Sequence, residues 1–183
     1  MRRFAELLDR LSYAPARNEK LRLMQDYFRE TPDPDRGWAL AALTDTLPFS
    51  FPVRRILTEL VTERMDPELY RLSRDYVGDT AETVALLWPE HDVSGRSTAS
   101  GAHLRLSDIA EALMLLGRNQ IGPQLSEWLD QLDITGRWAL LKLLTGGLRV
   151  GVSARLAKLA LARAWSHPVE EIEEVWHGLS PPF

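Results

Sequence analysis

The residues best suited to chemistry lie in one run, Leu143-Leu144-Thr145-Gly146-Gly147-Leu148-Arg149-Val150-Gly151-Val152-Ser153-Ala154-Arg155-Leu156. An apolar segment meets a glycine pair, the chain turns, and a new helix opens at Ser153. Three glycines and a serine cap leave several backbone N–H groups free at one point, with Arg149 and Arg155 beside them. Free N–H groups and the partial positive charge of a helix N-terminus make an anion site. The expected anion is a nucleic-acid phosphate: glycines permit close approach, and Arg149 adds a charge-assisted donor. The plainer alternative is a helix C-cap and a tight turn, with Gly146 or Gly147 at positive φ. That accounts for one glycine well and for three poorly. Two other helix starts, Arg17-Asn18 with Lys20 and Arg118-Asn119-Gln120 after Gly117, could also hold phosphates, or be ordinary solvated first turns. Arg96, His103 and Arg105 flank a Ser/Gly loop and could close over a backbone, or belong to a plain loop.

Other chemistries find little support. There is no cysteine, which excludes disulfides and thiolate metal sites and fits a reducing cytoplasm. His91, His103, His167 and His177 follow no metal-ligand spacing, so no metal is assigned. Asp79 and Glu82 read as a cap and a first-turn acid, not a catalytic pair. No phosphate loop of the Gly-x-x-x-x-Gly-Lys type and no nucleophile elbow occurs, so no catalytic residue is assigned. No apolar run reaches membrane-spanning length. The N-terminus, Met1 to Glu6, is amphipathic and acid-bearing, unlike a signal peptide. The net charge of −4 argues against a nucleic-acid binder until its distribution is considered. From Ile134 to His167 there is no Asp or Glu, but Arg137, Lys142, Arg149, Arg155, Lys158 and Arg163 are present. The acids Glu170, Glu171, Glu173 and Glu174 follow, so a basic face can exist on an acidic protein.

The elements that must position these residues read as helices throughout. Phe4, Leu7, Leu8 and Leu11 keep helical spacing, as do Leu21, Met24, Tyr27 and Phe28 in a second helix from Pro15 or Arg17. Thr31 to Asp35 is a rigid turn. A third helix carries Trp38, Leu40, Ala41 and Leu43, and a fourth, after Pro48 and Pro52, carries Val53, Ile56, Leu57 and Leu60. Asp66-Pro67 is a cap with proline at the first helical position, and Asp79 or Thr80 caps the helix through Val84 and Leu87. Residues 89–103 read as a loop. Beyond it, Ser107-Asp108, Thr135 and Ser153 are expected to cap helices, another helix runs from about Gln120, and Pro168 starts the last. Trp38, Trp88, Trp128 and Trp138 fall on apolar faces and are expected in the core. β-branched alternation is nowhere sustained, so the fold class is all-α, and 183 residues suit one domain.

Trp38-Ala39-Leu40-Ala41-Ala42-Leu43-Thr44 recurs as Trp138-Ala139-Leu140-Leu141-Lys142-Leu143-Leu144-Thr145, with one extra residue. Phe4/Leu7/Leu8/Leu11 lines up with Leu106/Ile109/Ala110/Leu113, and Val53/Ile56/Leu57 with Val152/Leu156/Leu159. Each half reads as helix, helix, Trp-helix, bend, helix. Chance likeness between amphipathic helices is the alternative. A true duplication would pack as two halves about a pseudo-two-fold axis and could grip a duplex on either side of one point.

The run from Leu143 to Ser153, followed by Leu156 and Ala160-Leu161-Ala162, resembles the signature of the N-terminal DNA-binding domain of ATP-dependent DNA ligases. Tyr76-Val77-Gly78-Asp79-Thr80-Ala81-Glu82-Thr83 is similar to a second, weaker signature of that domain. The resemblance covers nearly the whole chain in order; its glycine-arginine motif is fairly specific, the rest is helical pattern. It implies an all-α, multi-helix bundle over residues 1–178, in halves of about 1–88 and 104–178, lying against the minor groove on both sides of a nick. It implies phosphate contacts from the backbone around Gly146, Gly147 and Gly151, with Arg149. The DNA-contacting set expected overall is Gly146, Gly147, Arg149, Gly151, Ser153, Arg155, Arg17, Lys20, Asn119 and Gln120. Where Gly147 stands the family often has Lys or Arg, which removes one side-chain contact here.

The implied activity is sequence-independent binding of double-stranded, nicked DNA during replication, recombination and repair, in a nucleoid-associated, cytoplasmic protein. ATP and Mg2+ are implied for a full-length ligase and no cofactor for this chain. These ligases are adenylated on the lysine of a Lys-x-Asp-Gly motif, and Lys20, Lys142 and Lys158 begin no such motif. Residues 179–183, with Pro181-Pro182-Phe183, look like the start of the linker to an adenylation domain, the expected protein partner. Alone, the chain is expected not to seal DNA. A helical scaffold that receives a partner helix between its own helices is the competing expectation.

Overall fold

The structure, a computed structural model, describes residues 1–49, 53–89, 104–146 and 148–183. Among the described residues there are eleven α-helices and no strand. They are α1 (Arg2–Tyr13), α2 (Arg17–Glu30), α3 (Asp35–Leu43), α4 (Val53–Arg64), α5 (Pro67–Val77) and α6 (Thr80–Leu87). Beyond residues 90–103 come α7 (Leu106–Leu115), α8 (Arg118–Gln131), α9 (Ile134–Thr145), α10 (Ala154–Ala164) and α11 (Val169–Trp176). The fold is all-α. The expected loop over 89–103 lies, Pro89 apart, outside the described residues, with Arg96 and His103.

Apolar spacing decides what each helix buries. α1 buries Phe4, Leu7, Leu8 and Leu11, and α2 buries Leu21, Met24, Tyr27 and Phe28. α3 is buried all round, from Gly37 to Leu43, so it lies inside the bundle. α9 is its counterpart, buried at Ala139, Leu140, Leu141, Leu143 and Leu144. Trp38, Trp88 and Trp128 are core residues, and Trp138 is half-buried against the core.

The helix starts follow backbone conformation more closely than residue type. Asp66, Asp79 and Ser153 cap as expected, accepting from the N–H groups of Leu69, Glu82 and Leu156. Thr135 does not cap α9. Asp133, in extended conformation, accepts from Gly136 N–H at 2.7 Å, and Thr135 sits inside the first turn. Nor does Ser107 cap α7: its N–H donates to Asp35 across the bundle, while the Asp108 carboxylate receives the Arg105 N–H. α8 opens at Arg118, two residues earlier than expected, where Gln120 Oε1 accepts from Gly117 N–H.

The helices pack in pairs between the N-terminal and C-terminal parts. α1 lies on α9 and α7 on α3; α2 lies on α10 and α8 on α4; α10 also touches α3, and α4 touches α9. The matching helices α3 and α9 end alike. Thr44 and Thr145 each donate a hydroxyl to the carbonyl four residues back, at 2.7 and 2.8 Å. Each is followed by a left-handed residue, Asp45 or Gly146. A polar cluster joins α4, α8 and the end of α6: Arg64 pairs with Asp130 at 3.1 Å, and Trp88 Nε1 donates to the same carboxylate at 2.8 Å.

Candidate nucleic-acid interface

The turn between α9 and α10 is built around two left-handed glycines. Gly146 (φ 67°) is the C-cap of α9, and its N–H closes on the Lys142 carbonyl. A Cβ there would meet no atom, so backbone conformation, not space, favours glycine. Val150 is buried and anchors the turn, while Arg149, Gly151 and Ser153 are exposed. Gly151 (φ 66°) is constrained twice: its conformation disfavours a side chain, and a Cβ would lie 2.5 Å from Lys20 Nζ. That ammonium, reaching over from α2, donates to the Val150 carbonyl. Gly147 lies outside the described residues.

Packing of α2 on α10 brings their first turns together. Between them is an open cleft of about 390 Å³ lined by Pro15, Arg17, Lys20, Gly151, Ser153, Arg155 and Leu156, with no carboxylate in its wall. α2 begins without a side-chain cap, so its opening N–H groups remain available. Ser153 satisfies only the Leu156 N–H at 3.2 Å, leaving earlier amides of α10 toward the cleft mouth. Arg17 is exposed; Arg155 is exposed with Glu173 at 3.9 Å. Two positive helix ends and three basic side chains therefore meet on one surface, an arrangement suited to an anion.

Other predicted residues face elsewhere. Arg149 projects to the opposite side of the turn, into a groove of about 350 Å³ with Tyr13, Leu86, Ile134 and Trp138, which also holds Asp9 and Glu82. Gly146 borders a third hollow with Phe49, Asp45, Arg54 and Arg55. Asn119 and Gln120 are exposed at the start of α8, which packs on α4, and line none of these hollows. Arg54 and Arg55 were missed in the sequence. The signal was present: with Val53 aligned to Val152, they fall at the positions of Ser153 and Ala154, where α10 opens.

The basic run of the sequence is not a single face. Arg137 is buried, its Nε donating to the Leu129 carbonyl at 2.7 Å and a terminal nitrogen to the Trp88 carbonyl at 3.3 Å. Lys142 pairs with Asp79 at 2.5 Å, tying α9 to the start of α6. Burial pushes the Asp79 carboxyl up, but the Lys142 ammonium and the N–H groups of Glu82 and Ala81 outweigh it and hold the carboxyl below its ordinary range. A carboxyl lowered in the folded state stabilises above its unfolded pKa and loses that contribution as pH falls through the folded one. Asp79→Asn is therefore expected to flatten the fall of melting temperature below about pH 4, measured by thermal scans across pH. An unchanged acid limb would remove Asp79 from the account.

No protein-family model matches the chain, and no curated protein matches it in sequence. Among the described residues there is no group of three acidic, His or Cys side chains able to hold a metal, and no helix long and apolar enough to cross a membrane. Each of the three lysines makes a contact within the fold. Lys20 holds Val150, Lys142 holds Asp79, and Lys158 lies 4.3 Å from the Trp176 ring centre.

Proposed function

We propose that this chain binds double-stranded DNA through its phosphates, independently of sequence, as the clamping domain of an ATP-dependent DNA ligase. The observation that carries the reading is the carboxylate-free cleft where α2 and α10 begin, walled by Arg17, Lys20, Gly151, Ser153 and Arg155. Phosphate contacts fix a protein on a duplex without reading bases, and Arg, Lys, backbone N–H groups and helix N-termini make them.

The helix pairing supports the ligase-like architecture. Exchanging the helix sets α1–α4 and α7–α10 converts α1 on α9 into α7 on α3, α2 on α10 into α8 on α4, and α3 on α10 into α9 on α4. Such mutual exchange is what a two-fold relation between halves requires. The hollow bearing Arg54 and Arg55 also holds Gly146, so basic groups of α4 stand beside the same α9–α10 turn whose Gly151 borders the cleft.

Titration of a labelled nicked duplex and its intact counterpart, each at two salt concentrations, tests the reading. Affinity should fall with a log–log slope of roughly −0.9 per phosphate neutralised. Arg17→Ala, in the cleft wall, should weaken binding alike across sequences and make the slope shallower by about one unit. Absence of binding, or binding indifferent to salt, would overturn the proposal. A second reading, a scaffold for a partner helix, has one observation behind it. Leu72, Tyr76, Val77, Leu86 and Leu87 form an apolar groove between α5 and α6, with Tyr76 93% exposed. Helix-in-groove binding is driven by apolar burial, so salt-insensitive capture of an amphipathic peptide would favour it.

A further inference from the structure

Lys20 carries the inference. Its ammonium donates to the Val150 carbonyl, and it occupies the space a Cβ on Gly151 would need. Lys20 belongs to α2 and Val150 to the α9–α10 turn, so one side chain fastens the turn to a helix 130 residues away in sequence. Val150 is buried and Leu148 and Val152 pack partly buried against the core, while Arg149 and Gly151 are exposed, so Lys20 adds a polar tie at the exposed part of the turn. A glycine in left-handed conformation is costly to order, and a fixed donor on the preceding carbonyl restricts it.

We propose that Lys20 is a positioning residue for the phosphate site and makes no phosphate contact of its own. It holds the turn from Gly151 to Ser153, and with it the free opening amides of α10, in the arrangement that receives an anion, while Arg17 and Arg155 neutralise charge. The proposal rests on the DNA-binding reading above and assigns a division of labour within it. The division is measurable because counterion release counts only groups that neutralise phosphates.

Lys20→Met is compared with Arg155→Gln in duplex titrations across salt, with amide hydrogen exchange of both free variants. Lys20→Met should weaken binding roughly tenfold, the scale of a lost hydrogen bond from a charged group, with the salt slope of the unaltered protein. Arg155→Gln should make the slope shallower by about 0.9. Gly151→Ala, which displaces the ammonium, should weaken binding similarly, and the double variant should be far less than additive. Exchange at residues 151–153 should quicken in Lys20→Met while the α3 and α9 amides stay protected. A slope shallower by about one unit in Lys20→Met would make it a direct contact and overturn the proposal. So would full affinity in the folded variant, which is the result of a role confined to stability. If the unaltered chain binds no duplex, the DNA reading fails by itself. The exchange measurement still decides whether Lys20 orders the turn, and unchanged exchange at 151–153 overturns that too.

Discussion

Arg17→Gln combined with Arg155→Gln is expected to weaken duplex binding by about 60-fold near 0.1 M salt, with a log–log slope shallower by about 1.8. The arithmetic is counterion release: each phosphate neutralised contributes a factor of about eight at that salt, and the two contributions multiply. Both guanidinium groups border the same carboxylate-free cleft. Arg17 has no ion pair among the described residues. Glu173 competes for Arg155 only from 3.9 Å and at the surface, where such pairs are worth little. Both arginines are thus available to a phosphate without first breaking a strong contact. Residual binding should come from backbone amides of the two helix ends, which the substitutions leave intact. Fluorescence anisotropy over a salt series checks this. Less than about a threefold loss with an unchanged slope would remove the cleft from the interface.

The sequence made the helices legible because burial enforces their spacing. The stripe Phe4, Leu7, Leu8, Leu11 has no other way to leave water, and Trp38 and Trp138 mark the two most buried helices. The glycine turn was legible too, since left-handed backbone at Gly146 and Gly151 leaves few other residue types. Convergence of Arg17 and Lys20 with Arg155 was only half legible. Each stands near a helix start recognisable in the sequence, but their meeting depends on α2 packing on α10, a contact between distant segments. Arg149 shows the limit differently: it belongs to the turn, yet a turn exposes two sides, and only coordinates reveal which side a given residue faces. Thr135 and Asp133 are both capping types two residues apart, and the extended backbone at Asp133 decides between them.

Counting charges misled most at Arg137, and there the largest effect on stability is expected. The residue is 5% exposed, and its guanidinium donates to Leu129 in the last turn of α8 and to Trp88, the C-cap of α6. Carbonyls at helix ends have no intrahelical donor, and the two helix dipoles both favour a cation there. One side chain thus satisfies the ends of two helices from a position on a third. Arg137→Met keeps much of the volume but strands both carbonyls, at an expected cost of about 3 kcal/mol. For a chain of this length that lowers the melting temperature by roughly 10 °C. Arg137→Lys retains the charge but not the forked donors, and should recover part of the loss. Calorimetry or thermal circular dichroism checks the stability, and a change under about 1 kcal/mol would mean the carbonyls find other donors. The folded Arg137→Met protein should bind duplex with the unaltered salt slope, because a cation spent on helix ends releases no counterion from DNA. Loss of one positive charge at residue 137 and at residue 155 would then differ completely in outcome, one felt in folding and the other in binding. On this protein the position of a cation in the fold, and not the number in a stretch of sequence, sets what it does.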